Sequence, residues 1–131
     1  MGVIRAFDGR FAPADAASEP RPSIVEARVI YDAYLAAVCR HQGLRLDDVL
    51  WQLTREGEPN RDRAFREAVY ARQLALYLAN TCHSIPQKWL AGFAGITPAA
   101  VCLALQAIED VRDVRAFDQQ VDVISIAVGV A

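Results

Sequence analysis

Residues Leu90–Val101 read L-A-G-F-A-G-I-T-P-A-A-V. Ala91 is small enough to let a second helix approach the first. Four residues on, Gly95 tolerates the positive φ that a tight turn between helices demands. Ile96 and Val101 are apolar where the turn and the second helix must bury a side chain, and Leu90, Ala94 and Ala104 fill the remaining core slots. Thr97 is a good N-cap and Pro98 a good first helical residue. This is the spacing of a helix-turn-helix. It predicts the motif over about 86–114, with Pro98–Val114 as the recognition helix and its first turns facing a DNA major groove.

Upstream, S-I-V-E at Ser23–Glu26 is a capping box. Ile24, Ala27, Ile30, Tyr31, Tyr34, Leu35 and Val38 then recur at three- and four-residue steps, and Gly43 stops the helix. A short helix is expected over Asp47–Thr54 with Val49, Leu50 and Leu53 inward. After a polar loop marked by Gly57 and Pro59, a long helix is expected over Arg61–Cys82. Pro86 suits the first turn of a helix reaching Phe93, and a last helix covers about Ala116–Ala127. The expected fold is all-α, a compact bundle of about six helices spanning 23–131 and containing the helix-turn-helix, preceded by a tail over 1–22. In that tail Val3, Ile4, Phe7 and Phe11 recur at helical spacing. They suit either a short docking helix or a loosely ordered terminus.

The 131 residues are 53% hydrophobic and 23% charged, a globular composition. No apolar run approaches the ~20 residues of a membrane span, and the first ten residues do not resemble a signal peptide, so a cytoplasmic protein without membrane contact is expected. Cys39, Cys82 and Cys102 are expected to be free, mostly buried thiols. The net charge is −2, but residues 61–106 hold five basic side chains (Arg61, Arg63, Arg66, Arg72, Lys88) against two acidic ones (Asp62, Glu67). Only this segment would attract a polyanion.

Catalytic patterns are missing from the sequence. There is no phosphate-binding glycine loop, and the acidic pairs Asp47-Asp48 and Glu109-Asp110 are helix neighbours that point apart. His83-Ser84 is a sequence pair rather than a base set on a nucleophile. No enzyme, no cofactor and no metal site are expected.

A family resemblance lies in A-R-Q-L-A-L-Y-L-A at Ala71–Ala79, S-I-P at Ser84–Pro86, F-A-G at Phe93–Gly95 with Val101 six residues later, and Q-A-I-E at Gln106–Glu109. These resemble the C-terminal DNA-binding domain (domain IV) of the bacterial replication initiator DnaA, within the broader Trp-repressor-like helix-turn-helix class. The resemblance runs from about Ile24 to Ile124. It implies duplex DNA read by a major-groove helix, with an arginine-bearing loop in the adjacent minor groove, here Arg61, Arg63 and Arg66. Two departures stand beside it. The ATPase module is absent from this chain, and the family's G-G-R-D-H-T-T-V-like opening is replaced by A-G-I-T-P-A-A-V, which lacks bidentate base readers.

The contacts left for DNA are then phosphate positioning by Arg72, Lys88 and the amides after Thr97 and Pro98, methyl contacts from Ala99, Ala100 or Leu103, and a polar contact from Gln106. Arg61, Arg63 and Arg66 can equally be solvated and paired with Asp62 and Glu67, and Arg72 reads as a surface cation in either case. The resemblance implies a transcription regulator, similar to ATPase-less activators of gene-transfer-agent genes, that acts with a protein partner such as a second regulator subunit or RNA polymerase. A protein-interaction module that has lost base readout and a replication modulator competing for origin DNA are the alternatives.

Overall fold

A computed structural model of the chain describes residues 22–55, 62–111 and 115–128. Among these residues the fold is all-helical and without strands. Its elements are α1 (Ile24–His41), α2 (Leu46–Leu53), α3 (Arg63–His83), α4 (Gln87–Ala94), α5 (Pro98–Glu109) and α6 (Arg115–Val128). The tail apolar residues Val3, Ile4, Phe7 and Phe11, the loop residues Gly57 and Pro59, and Arg61 lie outside the described residues.

The helix boundaries follow from capping chemistry. Both halves of the α1 capping box form: the Glu26 N–H donates to Ser23 Oγ at 3.2 Å and the Ser23 N–H to Glu26 Oε1 at 2.9 Å. At the other end Gly43 takes φ +73°, and the Leu44 N–H closes back onto the Cys39 carbonyl at 2.8 Å. α3 begins two residues later than the apolar pattern suggests, because Asp62 accepts from the Phe65 N–H at 3.0 Å and becomes the N-cap. Pro86 likewise serves as the N-cap of α4 rather than as part of its first turn. α5 ends at Glu109, short of the expected Val114.

α3 is the axis of the fold. α1, α2, α4 and α5 all pack on it, and α6 packs on α1. Every residue from Leu74 to Ala79 is buried as a result, a run rather than a stripe. Tyr34, Leu74, Leu76, Leu78, Ile85, Leu90, Val101, Ile108 and Ile124 supply the large fully buried side chains. At ~1.5–3 kcal/mol for each such side chain, this core is the main stabilising element.

Three expectations about burial are corrected. Leu50, placed inward, is 46% exposed, because Val49 and Leu53 carry the inner side of the short α2. Of the thiols, Cys39 is buried, but Cys82 and Cys102 are exposed. Arg72, read as a surface cation, is 6% exposed. It stands four residues after buried Ala68 and four before buried Leu76, so the inward side of α3 carries it into the interior.

Candidate nucleic-acid interface

The α4–α5 unit is built by its turn. Gly95 adopts φ +71° and ψ 32°, and the Ile96 N–H donates to the Ala91 carbonyl at 3.0 Å, which closes α4 in a Schellman-type cap. Ile96 packs on the core beside buried Leu90 and Ala91. Thr97 then restarts the helix, its Oγ1 accepting from the Ala100 N–H at 3.1 Å, with Pro98 as first helical residue. Across these three residues the helix axis turns through 102°.

α5 is two-sided. Val101, Ala104 and Ile108 are buried against the bundle. Ala99, Leu103 and Gln106 recur at three- and four-residue steps on the exposed side, with Thr97 and Pro98 exposed at the helix start. Ala100 is half-buried, and Leu103 is 68% exposed. Between Pro98 and Glu109 the helix carries no basic residue. The face is therefore apolar with one amide side chain. Its first turn also offers fewer backbone donors than most helix starts. Pro98 has no N–H and the Ala100 N–H is taken by Thr97, which leaves the Ala99 N–H for an anion.

The cations lie elsewhere. Arg63 and Arg66 are exposed on the first turn of α3, and Lys88 is exposed on α4. Arg63 Nε pairs with Glu67 at 3.3 Å, an i,i+4 surface pair of the kind worth ~0.3–0.5 kcal/mol, weak enough to be exchanged for a phosphate. Arg63, Arg66, Gln42, Leu44 and Tyr70 line a shallow groove of about 220 Å³ where α3 meets the end of α1. Arg63 precedes Arg72 by nine residues, about 14 Å along a helix axis. Arg72 in turn shares a groove with Gly95, so the arginine-bearing end of α3 is one helix segment away from the α4–α5 turn.

Two polar contacts went unsignalled by the sequence. The Tyr34 hydroxyl and His83 Nε2 share a hydrogen bond of 3.0 Å across α1 and α3, with the rings edge to face. Burial lowers the His83 pKa and raises that of Tyr34. The Tyr77 hydroxyl donates to Glu109 Oε2 at 2.8 Å across α3 and α5. Both join residues far apart in sequence, and local patterning carries no trace of such pairs. Among the described residues no cluster of three metal-ligating side chains occurs, and no single helix is long and apolar enough to cross a membrane.

Compared with protein families, curated proteins and solved structures, the chain matches none.

Proposed function

We propose that this protein binds double-stranded DNA through α4 and α5 acting as a helix-turn-helix, and that it works as a transcription regulator. The carrying observation is the α4–α5 turn: three residues, a left-handed Gly95, a Thr97-capped second helix and a 102° change of axis. Helix-turn-helix units join their helices at ~90–120° through a turn of three or four residues, often with glycine. The likeness of Ala71–Glu109 to DnaA domain IV is a second support and favours a bacterial regulator of that lineage.

In this reading α5 enters the major groove. Ala99 and Leu103 meet thymine methyls, Gln106 reaches a base edge, and the Ala99 N–H holds a phosphate. Arg61, Arg63 and Arg66 supply the attraction and enter the adjacent minor groove, favouring narrow A·T-rich sites. Lys88 adds a phosphate contact. Arg72 is too buried to meet a phosphate as a surface cation and acts from within the fold. A partner that contacts RNA polymerase completes an activator of this kind.

Selection of bound fragments from genomic DNA tests the reading, with a variant carrying Arg61→Glu, Arg63→Glu and Arg66→Glu alongside. The expected result is recovery of a shared A·T-rich site by the native chain and none by the variant. Equal recovery by both removes the minor-groove role.

A second reading has its own observation. Leu103 and Cys102 stand exposed beside Ala99 on a helix face without charge, and such a face suits a protein partner. A Leu103→Glu substitution distinguishes the two: it abolishes a protein contact on this face, whereas phosphate-driven DNA binding persists in weakened form.

A further inference from the structure

The outer side of α1 is apolar where a solvated helix face would carry charge. Val25 is 72% exposed and Val29 63% exposed. Ala33 is exposed, Ala36 half-buried and Arg40 exposed along the same side, so that the stripe advances by four, four, three and four residues. It runs about 22 Å along the helix axis. The inner side of α1, with Ala27, Tyr34 and Val38, is fully buried in the bundle, so the stripe has no part in the core. α6, which packs on α1, adds two further exposed apolar side chains, Val123 and Ile126.

The stripe is symmetric end for end. Turned about a point between Asp32 and Ala33, Val25 changes places with Arg40 and Val29 with Ala36. The charges follow the same symmetry. Glu26 and Arg40 lie within about 40° of one another around the helix, on one flank of the stripe. Glu26 uses Oε1 to accept from the Ser23 N–H, which leaves Oε2 to accept from another donor. Arg40 makes no ion pair among the described residues. On the other flank Asp32, near the midpoint, is already neutralised by Arg28 at 3.3 Å.

We propose that the outer side of α1 is a homodimer interface, on which a second copy of this chain lays its own α1 antiparallel about a two-fold axis. Val29 packs on Ala36 of the second copy. The Arg40 stem covers Val25 of the second copy and sets its guanidinium against Glu26 of that copy. Alanine at the middle of the seam lets the helix axes approach to about 8 Å. A two-fold contact makes each pair twice, and the match of shape and charge under reversal selects a second copy over an unrelated partner. The association needs no DNA and is independent of the DNA reading.

Sedimentation equilibrium of the full chain over a concentration series tests the interface. The expected result is a reversible rise in mass from 14.4 kDa toward twice that value. Val29→Asp buries a charge in the seam and should weaken association about tenfold or more. Val29 is exposed in the single chain, so this variant spares the core, and a thermal melt verifies its fold. Glu26→Lys and Arg40→Glu each set like charges opposite one another and should each weaken association about threefold or more. Mixed together, these two variants regain opposite charges at both contacts and should associate about as tightly as the native chain. A chain that stays monomeric up to about 1 mM overturns the proposal and leaves the stripe to a different occupant. Unchanged association of Val29→Asp, or no gain on mixing the two charge variants, also overturns it.

Discussion

The Tyr77 hydroxyl and the Glu109 carboxylate, 32 residues apart, meet at 2.8 Å and tie the last turn of α5 to the middle of α3. The opposite end of α5 is held by the Gly95 turn, so the helix is anchored at both ends while Ala99, Leu103 and Gln106 stay exposed. Tyr77→Phe removes the tie without changing the buried ring. Because Glu109 is solvent-accessible and water replaces the lost donor, the expected cost is about 1 kcal/mol, read from urea denaturation. A variant as stable as the native chain contradicts this role.

Gly95 isolates a backbone effect. A Cβ built there meets no atom within 4 Å, so Gly95→Ala carries no steric clash, only the cost of a side chain at φ +71°. That cost is ~1–2 kcal/mol, and Gly95→Asn should lose less, since asparagine visits this region more readily. Equal stability of native protein and Gly95→Ala in chemical denaturation contradicts the left-handed turn.

Thr97 tests the restart of the helix. Its hydroxyl is the acceptor for the Ala100 N–H, so Thr97→Ala should cost about 1 kcal/mol and Thr97→Ser almost nothing. If the serine variant is destabilised as much as the alanine one, methyl packing rather than capping holds this position.

His83 gives the fold a pH dependence of defined sign. Burial lowers its pKa below the ordinary value of 6.5, so the folded chain binds fewer protons than the unfolded chain as pH falls past that value. The contribution of neutral His83 is present above about pH 6.5 and is lost as pH drops through the lowered folded value. His83→Gln should flatten this limb of the stability profile, measured by denaturation at a series of pH values. An identical profile in the variant assigns the limb to other groups.

The legible part of this protein is whatever local chemistry specifies. Ser23 with Glu26, Gly43, Gly95 and Thr97 each announce a helix end from their own side chain or its absence, and the structure places caps at all of them. Val101, Ala104 and Leu90 were legible as core through the spacing around the Gly95 turn. Arg72 was not, because a charged residue reads as exposed unless the enclosing helices are known, and four helices enclose α3. Leu50 failed in the opposite direction, since a two-turn helix has too few positions to define its inner side. The contacts of Tyr34 with His83, Tyr77 with Glu109, and Arg28 with Phe93 depend on how helices cross, which periodicity does not encode.

Salt dependence of duplex binding reads the number of cations that meet DNA. Fluorescence anisotropy of an A·T-rich duplex is titrated with the full chain from about 50 to 200 mM salt. With Arg61, Arg63, Arg66 and Lys88 as the cations that displace counterions from the duplex, the expected result is saturable binding whose logarithmic salt slope is about −3 to −4. The absence of binding at the lowest salt, or binding that ignores salt, contradicts it.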